Sequence, residues 1–317
     1  MTITPRDIPE VLPDLGDWFG SPTALETMTS VAHAARHAQP GVTAAQHAAR
    51  RVTSLKEAEL YFVNADMTQL AIQVAGGLEE WFTTEDAPVD DHGLLIWETP
   101  LPVDDGPRGL WPTAAAWCRT GSTITVDTYG DFAALRQDAT ERGLYAKGYG
   151  PQLDQMRAGR LAFLSSIPFP AHQKGAETTS IEVDTPPDIE GMLGILLATW
   201  LLIRQPADQR RALHQVEEVR APRAGQKRIR RAGGDPLAPV RCITLRQSLR
   251  PTGYEPVEGH AGRVYRHRWF VKPHPVQQYY PSEGEHRRIW RGPYLVVPPG
   301  CEDAPILGGE RVNVLRR

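Results

Sequence analysis

Apolar residues in this chain come in short bursts separated by Gly, Pro and Asp, and the spacing inside each burst predicts an element. Up to residue 22 prolines interrupt the runs, so 1–22 reads as an irregular lead-in. Two Ala-rich stretches, PTALETMTSVAHAARHA and TAAQHAARRVTSL, predict helices split by QPG. AELYFVN predicts a strand. Asn64 or Asp66 caps the next helix, over 66–75, and a Gly-Gly pair ends it. Strands are expected at 92–101, 121–130 and 159–169, with a helix in DFAALRQDATERG closed by Gly143. TSIEV predicts a short strand before a helix that starts near Pro187 and stops at Pro206. Strands and helices alternate irregularly, which makes 23–203 an α+β or α/β domain.

The pattern changes after residue 203. Residues 204–236 form a basic connector, with five Lys and Arg in the nine residues 223–231. From 237 to 317 only strand signals recur, in APVRCITLRQ, GRVYRHRWFVKPH, HRRIWRGPYLVV and ERVNVLRR. The expected fold is therefore an α+β (or α/β) N-terminal domain with a smaller, mostly β C-terminal module. The most apolar run, GMLGILLATWLLI (191–203), is thirteen residues long, against about 20 needed to span a bilayer. It predicts a buried core helix and no membrane partner.

Charge divides the chain more sharply than hydropathy does. Residues 1–200 hold 13 Lys and Arg against 27 Asp and Glu, a net −14; residues 201–317 hold 22 against 11, a net +11. Opposite halves suggest a polyanion partner for the basic half, or docking of one half on the other. Cys118, Cys242 and Cys301 are few, odd in number and far apart, which points to a reducing compartment. The first twenty residues lack the apolar run of a secretion signal, so the expected location is the cytoplasm. His33 and His37 stand one helical turn apart, without the third ligand that zinc needs. There is no GxxxxGK[ST] loop and no GxSxG elbow, and neither a cofactor nor a metal is expected.

The chemistry concentrates in RVYRHRWFVKPHPVQQYYPSEGEHRRIWRGPY (263–294), which holds seven Arg and Lys, three His, two Trp and four Tyr against two acids. Arginine binds phosphate bidentately and bases stack on aromatic rings, so cations and aromatics on strands suit splayed bases. The candidate nucleic-acid contacts are Arg228, Arg230 and Arg231 in the connector, then Arg266, Arg268, Trp269, Lys272 and Tyr279, and finally Arg287, Arg288, Trp290 and Arg291. RNA or single-stranded DNA is the expected partner over duplex. One alternative is a metal-independent ribonuclease-type toxin or effector, with His267, His274 and His286 as candidate acid and base. Another is a protein-interaction module with an acidic partner.

On these same residues the chain resembles a group of actinobacterial chromosomal and mobile-element proteins. The resemblance runs through AELYFVNADMTQLAIQ, GLLIWETPLP, LLATWLLIRQP and, most strongly, the tail. The group's tail reads roughly H-R-W-x-V-x-x-H, then Q, H-R-x-x-W and P-Y. That pattern falls here on His267, Arg268, Trp269, Val271, His274, Gln277 or Gln278, His286, Arg287, Trp290, Pro293 and Tyr294. Many members carry G-H-W-R where this chain has PHPV, so one cationic position of the group is missing. The resemblance implies a genomic setting and brings no activity with it.

Overall fold

One mixed sheet with helices against both faces organises most of the molecule, as seen in a computed structural model. The structure describes residues 3–34, 41–76, 88–102, 111–121, 123–170, 187–205, 214–245, 267–271, 273–282 and 284–298, and residues 300, 301, 304, 306 and 307. The predicted TSIEV and ERVNVLRR strands lie outside these residues, as do His37, Arg266 and Lys272.

After a short 3-10 turn at Pro5–Asp7 come α1 (Ile8–Phe19), α2 (Pro22–Ala34) and α3 (Ala44–Lys56). Strand β1 (Glu59–Val63), helix α4 (Ala65–Ala75) and β2 (His92–Trp97) form a parallel crossover unit. β3 (Pro112–Thr120) and β4 (Thr123–Asp131) are antiparallel neighbours. Then follow α5 (Phe132–Glu141), α6 (Gly150–Gln155), β5 (Arg157–Ala158), β6 (Leu161–Pro170) and α7 (Pro187–Ile203). Next are β7 (His214–Val219), α8 (Arg223–Arg231) and β8 (Val240–Leu245). The eight strands lie in the order β5-β6-β4-β3-β2-β1-β8-β7. Two small sheets complete the chain. One is the hairpin of β10 (His274–Tyr280) and β11 (Glu285–Arg291); the other sets β9 (Arg268–Val271) between β12 (Tyr294–Val296) and β13 (Ile306–Leu307).

Alternation along the strands builds two cores. Leu60, Phe62, Leu94 and Ile96 face α1, α2 and α3, where they meet Ile8, Leu15, Met28 and Leu55. Tyr61, Val63, Leu95 and Trp97 face the other way, onto α4 and α7. Helix α7 is apolar all round, as a helix covered on every side should be. The C-terminal part contributes to that cover: Trp290 packs against the α7 cluster, and the Gln205 amide donates to the Pro293 carbonyl. Among the described residues no helix is long and apolar enough to cross a membrane.

The α+β body and the smaller β C-terminal module match the expected fold class. The details depart from it in four places. The prolines of the lead-in do not prevent a helix: Pro9 sits in the first turn, where no intrahelical N–H is needed, and Ile8, Val11, Leu15 and Phe19 make a buried stripe. The 204–236 stretch is no free connector, because it supplies β7 and α8. β8, expected in the C-terminal module, pairs in parallel with β1 inside the large sheet, one strand in from the β7 edge. Finally, β3 was masked by its alanines. It is a central strand in which Ala114, Ala115 and Ala116 let helices approach from both sides, and burial overrides weak strand propensity. Gly93 beside it admits the Trp117 ring, which would lie 2.1 Å from any Cβ placed there.

Candidate nucleic-acid interface

Helix α8 begins after Pro222, whose extended backbone sets up the first turn, and closes on Gly233 at φ +78°. It lies on α1. Gly225 and Ile229 are buried, and a Cβ at Gly225 would strike the Glu10 carboxylate. Arg228 reaches down to α1, 3.4 Å from Glu10 and in contact with Asp14. Burial raises the Asp14 carboxyl above its ordinary value, with Arg228 pulling the other way. The opposite side of α8 is purely cationic. Arg223, Lys227, Arg230 and Arg231 fall within an arc of roughly 100° at helical spacing. All four are exposed, and none forms an ion pair among the described residues. Arg220, between β7 and the helix, is exposed as well.

The tail residues sit elsewhere. In the hairpin, Tyr279 stands opposite His286 with ring centroids 5.0 Å apart, and both are exposed. At the other end of the same ribbon face, Trp290 turns into the α7 cluster. Position 288 pairs with Gln277 and position 287 with Gln278; the side chains of Arg287 and Arg288 lie outside the described part. Arg291, opposite His274, is exposed. Arg268 is 2% exposed, and its Nε donates to the Ala304 carbonyl at 2.6 Å, so it ties β9 to the last loop. Trp269 is half-buried, next to the His267 ring.

The predicted contacts therefore do not form one surface. Arg230 and Arg231 project from the layer of α1, while Trp290 packs into the α7 cluster on the other side of the large sheet, with Tyr279 and Arg291 on the same hairpin as Trp290. Arg268 is held inside the fold, and Arg228, half in solvent, is paired with Glu10 and Asp14. The histidines are likewise apart. His274 and His286 are five register positions from one another, roughly 17 Å along the ribbon, and the odd step puts them on opposite faces. His267 belongs to the other small sheet region, beside Trp269. His274 and His286 therefore do not face one bond across the hairpin.

Sequence reasoning missed a buried polar layer beneath α3. The Arg51 guanidinium sits 2.6 Å from the Asp127 carboxylate, and both side chains are almost fully buried. Arg51 also donates to the Cys118 sulfur at 2.9 Å and reaches Ser166 at 3.4 Å. Burial pushes up the Cys118 thiol and the Tyr129 phenol. It raises the Asp127 carboxyl too, although Arg51 lowers it in part. His47, one turn before Arg51, is 1% exposed; burial first, then Arg51 and Arg50, hold its imidazole down at about 4. The alternation of TITVDTYG puts Asp127 in phase with Thr125, opposite Ile124 and Val126, a position that reads as solvent-facing until α3 covers it, so local pattern carried no sign of the buried pair.

Comparison of the chain with protein-family models, with curated proteins and with solved structures finds no match.

Proposed function

We propose that this protein binds nucleic acid through its basic half and works in the cytoplasm, where its three buried cysteines, which form no disulfide, stay reduced. The observation that supports this reading is the α8 stripe. Four cations share one exposed helix face, none of them in an ion pair among the described residues, and their mutual repulsion costs the fold stability. Such a face is what phosphate neutralisation needs. The acidic N-terminal half does not use it up. Among the described residues, its ion pairs with the basic half run only through Arg228 and through Arg241, which sits 3.2 Å from Glu59 and 3.6 Å from Asp90.

The test is a binding titration of the full chain against a labelled oligonucleotide over 50–300 mM salt. The combined R223Q/K227Q/R230Q/R231Q variant weakens binding at least tenfold at low salt. It also flattens the log K against log salt slope by roughly three, since each phosphate contact contributes about 0.7 to 0.9. Unchanged affinity and slope in that variant would remove α8 from the interface. Failure of the wild-type chain to bind any nucleic acid would end the reading.

A further inference from the structure

Cations and aromatics would have to share a surface to hold single-stranded bases, and among the described residues α8 itself carries cations alone. Among the described residues the exposed large apolar side chains are Leu25, Trp111, Tyr149, Val216, Leu237 and Tyr279, and none of these is on α8. Of the tail's aromatics, Trp290 is drawn into the α7 cluster, Trp269 is half-buried, and Tyr279, tilted against the His286 ring, is exposed on the same hairpin as Trp290. The α8 stripe thus presents fixed charge without a stacking ring. Its cations are carried on a rigid helix held to α1 by Ile229, Gly225 and Arg228. The stripe runs straight, about 12 Å from Arg223 to Arg231 at the helical rise.

We infer that α8 takes the phosphate backbone of a nucleic-acid duplex, without reading base sequence. This rests on the nucleic-acid reading above and names its ligand class. Two features select a duplex. Its charge density, one phosphate per roughly 1.7 Å of axis, exceeds that of a flexible single strand and repays a fixed row of cations. A single strand gains most of its affinity from stacking, at aromatic rings that this face lacks. Arg and Lys that stand free of base edges position a ligand and carry no sequence information.

The experiment measures the full chain, at 100 mM salt, against a 20-base-pair DNA duplex, a second duplex of unrelated sequence, the matching single strands, and an RNA duplex of the same length. The two DNA duplexes bind within about twofold of one another, and each binds at least fivefold more tightly than its single strands. The RNA arm shows whether the source of the backbone matters: equal affinity for both duplexes assigns recognition to phosphate alone, and a preference for one assigns part of it to helix geometry. In the R223Q/K227Q/R230Q/R231Q variant the duplex advantage disappears, while the thermal melt is unchanged. Tighter binding of single strands than of duplexes overturns the duplex inference and leaves nucleic-acid binding standing. Sequence discrimination above tenfold overturns the backbone-only reading. No binding in any arm overturns both.

Discussion

Helices α3 and α8 belong to the same layer of the molecule, and each carries an arginine cluster, yet the two clusters do opposite work. In α3, Arg51 points into the sheet and meets Asp127, Cys118 and Ser166. In α8, Arg223, Lys227, Arg230 and Arg231 point away from the body. The difference lies in where the charge falls relative to each helix's buried stripe. Arg51 is in register with His47 and Leu55, which are buried; the α8 cations alternate with Gly225 and Ile229, which are buried in their place. Identical side chains become core partners or an exposed stripe according to about half a turn of phase.

The largest effect tests the inward cluster. Asp127→Ala leaves a guanidinium buried without its carboxylate and lowers stability by about 3–5 kcal/mol, read by urea unfolding. The paired replacement of Arg51 by Met and Asp127 by Leu costs far less than that, since no charge is stranded. A loss under about 1 kcal/mol for Asp127→Ala would erase the contrast between the two helices.

His47 supplies the next effect. Its pKa falls from 6.5 in the unfolded chain to about 4 in the fold, so the native state holds it neutral. Its contribution is complete above pH 6.5 and is lost as pH drops toward 4. From pH 7 to pH 5 this group alone costs about 2 kcal/mol. Asp127, whose carboxyl is raised, acts in the opposite sense over the acid range. The informative quantity is therefore the stability difference between wild type and His47→Phe, which shifts in the variant's favour by about 2 kcal/mol over that interval. A constant difference would mean that His47 does not titrate with folding.

Arg228 stands between the two extremes, half inside the α1–α8 contact and half in solvent. Arg228→Ala lowers stability by about 0.5–1 kcal/mol at low salt and by less at 0.5 M, as screening weakens a partly exposed pair. The smallest effect belongs to the outward stripe. The R223Q/K227Q/R230Q/R231Q variant changes unfolding free energy by less than about 0.5 kcal/mol, or slightly stabilises, because four like charges no longer repel. A large loss there would show that the stripe is structural and would pull α8 toward the α3 case.

Much of the body was legible from local pattern. The caps show this best: the Asn64 side chain accepts from the Met67 N–H as its position before α4 suggests, and Asp131 does the same for Ala134 at α5. The apolar run at 191–203 was recognisable as a core helix because of its length. What the sequence did not disclose is long-range pairing. No local feature of VRCITL says that it joins β1 in parallel instead of starting a separate module, since that choice depends on an edge made almost two hundred residues earlier. The candidate surface was half legible for the same reason. The cations were countable, but their division between two sides of the sheet depends on which helix packs against which face. Prolines hid α1, and alanines hid β3, where tertiary burial outweighed residue preference.

The placement of β8 between β1 and β7 also has a consequence in time. β1 and β2 leave the ribosome early, and β8, which closes the other side of β1, follows roughly 180 residues later; at 5–20 residues per second that is on the order of 10–40 s. Through that interval the nascent chain holds Leu60, Phe62 and Val63 on an open, strongly apolar parallel edge, the kind of template on which chains associate. The segment 214–245 that completes the sheet also carries the proposed binding stripe, so that a chain stopped before residue 214 lacks closure and stripe together.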